Sequence, residues 1–444
     1  MKHRYRLLVA CLGGITSTIC HAQSTTQVND TLRLSLKEAW LKADEHSRAI
    51  VIKRKSTEAR AEEVKDAQVE RYPELSVAGN AEKATNIPIY ENGLFRPPVQ
   101  HEVIHTLYRA GADMYLNIYN GNKQNLKIQE EKILHKIALI EQDQTISDIR
   151  YKAARIYLEL QKSMIFRSLM IEDIADQRKQ LIEINAFQKN GVVLKSDVLR
   201  VELELSKREM TLVQIENDIL IASQKLNIII GEPDDKVIYP SDSLDLQNNY
   251  ANTYEACLNE AMQHSFAYHI SEEQTQLSKI HLKEIKAIVR PKVGMYGDFY
   301  YANPQIFLYP YNPYWYSLGI GGIKASFPIS SLYHNAHKVR SAAIELEKEE
   351  EMHKDTEDKV RQQVKESYLR YRESLIQIQV SKVNVAHAVE NARIIKHAYF
   401  GQTALITDLL DADVQVLQTR FELAAANIQA QNKYYLLQNT IGIL

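Results

Sequence analysis

Apolar side chains in the second half of the chain recur at steps of three and four residues. The positions are Leu332, Ala336, Val339, Ala343 and Leu346, then Val360, Val364, Tyr368, Tyr371, Leu375 and Ile378. This spacing is typical of a helix with a coiled-coil-like seam. The segment 331–396 contains neither proline nor glycine, so it predicts a helix of about 100 Å at roughly 1.5 Å per residue. Such a helix must pack its seam on partners, and we interpret the charged run "EKEEEMHKDTEDK" within it as a solvated face.

The sequence repeats itself at an offset of 211 residues. The segment "YLELQKS" at Tyr157 resembles "YLRYRES" at Tyr368, and the stretch "NGVVLKSDVL" corresponds to "YFGQTALITDLLDAD". Matching pairs are Asp197 and Asp408, Leu199 and Leu410, Leu226 and Leu437, and Gly231 and Gly442. No gap is needed from about residue 117 to the end of each half, which indicates two copies of one unit.

Upstream, the two halves still match, at an offset near 218. The segment "EAWLKADEHS" resembles "EACLNEAMQHS", and Pro73 corresponds to Pro291. We therefore predict two tandem repeats, residues 23–231 and 251–444, joined by a turn-rich linker at 232–250. The change of offset falls in a loop-like segment, where insertions are tolerated best.

Each repeat reads as a helix, a strand pair, a very long helix, a turn and a further helix. The first helix is predicted from Ser35 to Arg71 and from Tyr254 to Arg290, ending just before a proline in both halves. Aromatic, β-branched and glycine residues mark the strands "ELSVAGNA", "AGADMYLNIYN", "KVGMYGDFYY" and "YSLGIGGIKASFPI". The predicted fold class is mainly α with a small β part: long antiparallel coiled-coil helices and four strands per chain.

The N-terminus is typical of an export signal. Residues 1–22 combine the basic "MKHRYR", an apolar stretch and the small-residue end "CHA". Cys20 invites a lipoprotein reading, but Ile19 stands where such a site needs a small residue, so we expect cleavage near Ala22. Removal of Lys2, Arg4 and Arg6 takes the formal net charge from −2 to about −5, and no basic surplus indicates nucleic acid.

Four strands cannot close a barrel in a bilayer, because open edges leave backbone groups unsatisfied in lipid. Three chains supply twelve strands, an even number within the range of outer-membrane barrels. The aromatic residues between Tyr296 and Tyr316 suit a membrane-interface belt. A soluble β-hairpin with an aromatic core is the alternative.

The twofold repeat of helix, strand pair, long helix and helix, with the turn before "DLLDA", resembles the TolC family of outer-membrane channels. The resemblance covers essentially the whole mature chain. It implies a homotrimer with a 12-stranded barrel in the outer membrane lipid and an α-barrel tunnel in the periplasm of a Gram-negative bacterium. It implies no enzymatic activity and no cofactor. The implied function is the exit duct of a tripartite efflux pump or type I secretion system, with a periplasmic adaptor (membrane fusion) protein and an inner-membrane pump of RND or ABC type as partners.

On this resemblance, the two turns are periplasmic tips and the residues beside them form the pore gate. It implies carboxylate rings from Asp408 and Asp411, while Asp197, with Ser196, accepts hydrogen bonds from the other tip, including one from Tyr399. Closely held carboxylates should attract cations. The alternative for each aspartate is helix capping, which contributes about 1 kcal/mol.

The tip departs from the family pattern at two positions. Ala404 stands where a basic residue completes the closing network, and Gln402 stands where a glycine is expected, next to Gly401. Apolar residues at a loop apex suggest a partner, and the resemblance implies adaptor docking at Gly191, Val193, Leu194, Leu405 and Ile406. Packing between helices of the trimer is the alternative for these side chains.

A periplasmic coiled-coil scaffold or adaptor subunit is the rival interpretation. An adaptor should carry one compact β-rich domain between the arms of a single hairpin, whereas strand pairs recur here in both halves. His334, His337 and His353 lack a Cys or carboxylate that would complete a metal site, so we predict none.

Overall fold

The computed structural model describes residues 31–242, 253–306 and 312–444. The predicted signal segment 1–22 with Cys20 lies outside the described residues. The same holds for most of the C-terminal part of the predicted linker 232–250, and for residues 307–311 of the aromatic loop "NPQIFLYPYNPYW".

Within these ranges the secondary structure is dominated by long helices. The helices are α1 (Leu36–His46), α2 (Arg48–Val69), α3 (Lys123–Lys189), α4 (Lys195–Ile230), α5 (Tyr254–His264), α6 (Phe266–Ala287), α7 (Ser331–His334), α8 (Ala336–Phe400) and α9 (Ile406–Ile441). The strands are β1 (Thr31–Leu34), β2 (Glu74–Lys83), β3 (Ile87–Ile89), β4 (Val99–His101), β5 (Thr106–Tyr119), β6 (Val237–Pro240), β7 (Lys292–Asn303) and β8 (Tyr316–Ser326).

Three of the corresponding helix pairs of the two halves have equal lengths, and the long helices α3 and α8 have 67 and 65 residues. α1 and α5 have 11 residues, α2 and α6 have 22, and α4 and α9 have 36. α4 and α9 end at the matched glycines Gly231 and Gly442, which adopt φ of 75° and 92°. An αL residue at a helix end is most readily a glycine, because a Cβ is disfavoured there. The matched glycines therefore fix the same helix end in both halves.

The first helix of each repeat is broken, contrary to the prediction of one helix to Arg71 and one to Arg290. Ser47 and Ser265 adopt extended backbone (ψ of 119° and 118°) and separate two helices in each half. The Oγ of Ser265 accepts a hydrogen bond from the Tyr268 N–H, which is the local competition by which serine favours a helix start over a helix interior. The predicted long helix is broken near its start as well, at Asn335, whose side chain donates to the Ile285 carbonyl (2.7 Å).

The long helices form a layer in which α4 packs on α3, α3 on α9, and α9 on α8. In the part of the layer nearest the sheet, α2 packs on α3 and α6 lies between α3 and α8. The largest core surrounds the buried Tyr157, Leu160 and Leu226. α4 and α8 therefore lie at the two lateral edges of the layer.

The main sheet is antiparallel in the order β2-β5-β7-β8. These are the four predicted strands, with β2 and β8 at the edges of the sheet. Sequence patterns did not predict two further pairs, the parallel pair β1-β6 and the short hairpin β3-β4. β1 and β6 have four residues each. β1 lies near the start of the first repeat and β6 lies in the predicted linker 232–250, so only the folded helices bring them together.

Among the helices of the described ranges, none is both long enough and apolar enough to cross a bilayer.

Candidate functional site

The sheet has two chemically different faces. Directly opposed residues of antiparallel strands share a face, so the register that pairs Val77 with Ala112, Ala112 with Phe299, and Phe299 with Gly319 defines one of them. This apolar face comprises Leu75, Val77, Gly79, Ala81, Tyr108, Ala110, Ala112, Met114, Leu116, Met295, Gly297, Phe299, Tyr301, Gly319, Gly321 and Ile323, with Ser317 and the strand-end residues Lys83, Thr106 and Asn303 as its polar members. Val77 is 86% and Ile323 72% exposed, so no other part of the described ranges covers this face.

The opposite face, here called the polar face, holds the charged and amide side chains of the sheet. It comprises Glu74, Ser76, Asn80, Glu82, Arg109, Asp113, Asn117, Lys292, Asp298 and Lys324, together with Tyr115, Tyr296, Tyr300 and Tyr316. Leu107, Leu318 and Ile320 are its large aliphatic members. Asp113 lies directly opposite Asp298, and the Arg109 guanidinium lies 4.0 Å from the centre of the Tyr300 ring.

Aromatic side chains lie at both ends of the apolar face. At one end the Trp315 ring stacks on Tyr301 (centroids 5.1 Å apart) and on Tyr108 (6.1 Å). At the other end Tyr119 and Phe327 are exposed. The part of β5 between Tyr108 and Tyr119 is roughly 35 Å long, and a strand tilt of about 35–45° reduces this to about 25 Å, the height of the apolar band of an outer-membrane barrel.

The two helix turns at the far end of the helical layer share one backbone conformation. In the first, Gly191 has φ of 72° and the Val192 N–H donates to the Phe187 carbonyl (2.9 Å). In the second, Gln402 has φ of 63° and the Thr403 N–H donates to the Ala398 carbonyl (2.8 Å). The expected glycine is thus replaced by a residue with a side chain that nevertheless adopts the left-handed conformation.

Asp197 and Asp408 occupy the same place in the first turn of α4 and α9. The Leu405 N–H donates to Asp408 Oδ2 (3.1 Å), and the Leu194 N–H lies 3.4 Å from Asp197 Oδ2. The helix-capping role that the sequence left open is therefore present. Ser196 is exposed, with its Oγ 3.5 Å from Asp197 Oδ1. Asp411 is exposed one turn further along α9.

Tyr399 lies under the second turn and is only 7% exposed. Its ring packs in a cluster with Ile184, Val201 and Leu409, and its hydroxyl has no hydrogen-bond partner among the described residues. Burial, and then the nearby Asp197 carboxylate, raise the pKa of Tyr399. Within one chain, the hydrogen bond to Asp197 that the resemblance implies is absent.

The apolar residues of the tips differ in exposure. Leu194 is 71% and Leu405 69% exposed, whereas Ile406 is 7% exposed and packs in the same cluster as Tyr399. The expectation of an exposed Ile406 is wrong, because the first turn of α9 places its side chain inward. Val193 is half-buried, and Val192, which sequence reasoning missed, is exposed. A cleft of about 450 Å³ separates the two turns.

A buried charged cluster lies above the tips, between α3, α4 and α9. Arg208 Nε lies 3.0 Å from Asp173 Oδ2, with Arg208 only 5% exposed. Burial raises the pKa of Asp173 to about 6, against the opposing effect of Arg208. The buried Gln177 donates to Asp413 Oδ2 (3.1 Å). The Asp173–Arg208 ion pair was not predicted, because pairing between residues 35 positions apart has no local sequence signal.

Side chains of His, Cys, Asp and Glu do not gather in groups of three or more that could hold a metal ion anywhere in the described parts of the chain. The Nδ1 of His353 lies 2.7 Å from Ser271 Oγ, so this histidine has a hydrogen-bond partner on α6.

No family model and no curated protein sequence matches the chain significantly. Solved structures do match it over most of its length. CusC, whose structures concern folding and transmembrane channel formation, has a TM-score of 0.79 at 12% identity, over 92% of this chain and 92% of that chain. VceC, an outer membrane protein of Vibrio cholerae, has a TM-score of 0.72 at 14% identity, over 92% and 96%.

The MtrE outer membrane channel of Neisseria gonorrhoeae, in its open state, has a TM-score of 0.73 at 12% identity, over 92% of this chain and 89% of that chain. At such low identity the similarity establishes the fold, and it confirms the predicted combination of long helices with a small sheet. The chain adopts the fold of these outer-membrane channel proteins, as its resemblance to the TolC family predicts.

Proposed function

We propose that this chain is one subunit of a homotrimeric outer-membrane channel, the exit duct of a tripartite efflux pump or type I secretion system. The observation that carries the proposal is the sheet: four strands with open edges, one face apolar and the other charged. In lipid, every backbone polar group needs a partner, so only a closed barrel can place such a sheet in a membrane. Three copies close twelve strands, with the apolar face toward lipid and the polar face toward a lumen.

The helical layer supports closure by further copies as well. Its edge helices each carry an exposed stripe of apolar side chains at steps of three, four, seven, eight or eleven residues, each of which returns to nearly the same face of a helix. On α4 the stripe contains Leu199, Leu203, Met210, Val213, Leu220 and Ile228, and on α8 it contains Leu369, Ile376, Val380, Val383 and Ile394. Packing of the α4 stripe of one copy on the α8 stripe of the next would close a tunnel continuous with the barrel.

The tips are the proposed gate. Three copies would bring Asp408 and Asp411 together as carboxylate rings at the narrow end, where they attract cations. We propose that Asp197, Ser196 and Tyr399 hold the tips together in the assembled trimer. Asp408 can act in the ring while it caps α9, because the cap uses one carboxylate oxygen.

The partners at the tips are proposed to be a periplasmic adaptor protein and, through it, an inner-membrane pump of RND or ABC type. Leu194 and Leu405 support this, since two large aliphatic side chains about 70% exposed at a helix turn are typical of a docking surface. Val192, Val193 and Gly191 adjoin them. The repeats 23–231 and 251–444, the linker and an export signal at 1–22 belong to the same proposal.

The test is conductance in a planar bilayer, with protein purified in detergent. The wild type should form a detergent-dependent trimer with small, cation-selective openings, and Asp408→Asn/Asp411→Asn should lose the selectivity. The matched control is Asp218→Asn/Asp358→Asn, which removes as many carboxylates from α4 and α8 far from the tips and should leave selectivity unchanged.

A chain that dissolves without detergent and forms no trimer would contradict the proposal and favour a periplasmic scaffold. Selective openings that persist in Asp408→Asn/Asp411→Asn would keep the channel, reduce Asp408 to a helix cap and leave Asp411 without a role in the pore.

A further inference from the structure

Two tyrosine rings of the polar face lie flat over glycines of the neighbouring strand. A Cβ added to Gly294 on β7 would lie 2.5 Å from the hydroxyl oxygen of Tyr115 on β5 and 2.7 Å from its Cζ. A Cβ added to Gly322 on β8 would lie 3.1 Å from the hydroxyl oxygen of Tyr296 on β7. Both rings lean toward the next strand in the same direction around the sheet.

Glycines of the apolar face are not covered in this way. At Gly79, Gly297, Gly319 and Gly321 an added Cβ would meet no atom closer than 3.6 Å. The tight contacts are thus confined to the face that holds the charged side chains. Glycine in a strand costs stability, so glycines under aromatic rings on one face require a reason specific to that face.

We propose that Gly294 and Gly322 set the bore of the lumen by holding Tyr115 and Tyr296 against the barrel wall, and so set the size of cargo that passes. The inference rests on the proposed channel. With a glycine beneath it, each ring covers backbone and leaves the lumen open. A Cβ at Gly294 would force the Tyr115 ring to swing away from the wall, whereas a Cβ at Gly322 would displace the Tyr296 ring by only a few tenths of an ångström. On this face of a closed barrel the free space is the lumen.

The contact at Gly294 can be relieved by the tyrosine alone, because the clashing atoms are the far end of the Tyr115 side chain. Gly111 differs in this respect. A Cβ there would lie 2.8 Å from the Phe299 carbonyl oxygen and 2.8 Å from the Tyr300 Cβ, so a substitution would push apart the backbones of β5 and β7. Gly294→Ala therefore tests the effect of the Tyr115 ring on the width of the lumen, whereas a substitution at Gly111 would test the stability of the sheet.

The experiment measures how large a reagent reaches the base of the lumen from outside the cell. Lys292 lies on the polar face just beyond Gly294, so Lys292→Cys places a thiol behind the Tyr115 rings. The natural Cys257 is fully buried and serves as the unlabelled background. Maleimide-polyethylene glycols of graded size are added to intact cells, and labelling rates are compared between variants that assemble equally in the outer membrane.

The relevant reagent is the largest one that labels Lys292→Cys in the parent. Gly294→Ala should reduce its labelling rate about tenfold, because the three Tyr115 rings of the trimer enter the lumen and pore diameter governs passage. Gly322→Ala should act in the same direction and more weakly. Tyr115→Ala should be labelled by the largest reagent at least as fast as the parent, and Gly294→Ala/Tyr115→Ala should behave like Tyr115→Ala, because no ring remains to be displaced. Gly297→Ala, the matched change on the apolar face, should leave the rates unchanged.

An assembled Gly294→Ala channel with the labelling rates and size limit of its parent would overturn the inference and leave the channel intact. If Gly294→Ala does not assemble, the comparison of Gly322→Ala with the parent decides in its place, and unchanged labelling rates there overturn the inference. Glu91 is exposed in the loop between β3 and β4, so Glu91→Cys is the positive control for labelling. A Lys292→Cys thiol that does not react even with the smallest maleimide, while Glu91→Cys is labelled, would overturn the channel and the inference together.

Discussion

The two helical hairpins, α3–α4 and α8–α9, share their backbone but stabilise it with different side chains. The first holds the buried pair of Asp173 and Arg208. At the same offset the second has Asn384 and Thr419, and the Thr419 hydroxyl bonds only to carbonyls of its own helix. The comparison shows that the fold requires the hairpin geometry, while the charge inside it is peculiar to one copy.

The largest effect is expected from breaking this charge pair. Arg208→Met leaves the Asp173 carboxylate buried without its partner, which should lower the free energy of unfolding at pH 7 by about 3–5 kcal/mol. The loss should be smaller at pH 5, because the raised pKa of Asp173, about 6, means that the carboxyl is then largely protonated. Thermal unfolding in detergent at both pH values checks this.

The matched control is Asp173→Asn/Arg208→Thr, which gives the first hairpin the polar residues of the second. Replacing both partners of a buried pair is often neutral or stabilising, so this variant should unfold near the wild type. A raised carboxyl pKa favours the protonated folded state, so the Asp173 carboxyl by itself lowers stability as pH rises from about 4 to 6, and the double variant should lose that contribution. Equal destabilisation by Arg208→Met at pH 5 and pH 7 would contradict a raised pKa of the Asp173 carboxyl.

The second largest effect is expected at the start of the returning helices. Ile406 is buried, whereas Lys195, at the same place in the first hairpin, is exposed. Ile406→Ala should cost about 2–4 kcal/mol through a cavity beside Tyr399 and Leu409, whereas Lys195→Ala should change stability by less than about 0.5 kcal/mol. Chemical unfolding of both variants measures the difference, and similar values for the two would show that the tips are packed alike.

A smaller effect is expected at the left-handed position of each turn. Gln402→Gly should raise the free energy of unfolding by about 0.5–1 kcal/mol, because the αL strain of a side chain exceeds the entropy that glycine adds to the unfolded chain. Gly191→Gln should lower it by a similar amount, since nothing lies within 4 Å of an added Cβ and only the backbone strain counts. Melting temperatures of the two variants should move in opposite directions, and a shift in the same direction would refute the explanation.

The smallest effect on stability is expected at Tyr399, which corresponds to Gln188 in the first hairpin. Its buried hydroxyl has no hydrogen-bond partner in the described parts of the chain, so Tyr399→Phe should leave the free energy of unfolding unchanged or raise it by up to about 1 kcal/mol. If the hydroxyl holds the gate in the trimer, the same variant should open more often in bilayer recordings. A variant that loses stability without a change in opening would show that the hydroxyl has a structural partner instead.

Some features of the fold were determined by local sequence alone. The offsets of 211 and 218 predicted the repeated pattern of helices, and Gly231 and Gly442 marked helix ends because few residues other than glycine adopt φ near 75–90° readily. The four strands of the sheet were predicted from composition. The breaks at Ser47 and Ser265 were missed, since a serine is tolerated within a helix and only its neighbours decide whether it starts a new one.

The tertiary structure decided what depends on contacts between distant segments. Leu405 and Ile406 are both apolar, so the sequence does not distinguish them. The first turn of α9 places Ile406 inside the cluster and leaves Leu405 exposed. The β1-β6 pair, the Asp173–Arg208 pair and the seating of Tyr115 over Gly294 join residues that are far apart in the chain. Sequence periodicity determines which residues share a face of one element, but only packing determines what that face meets.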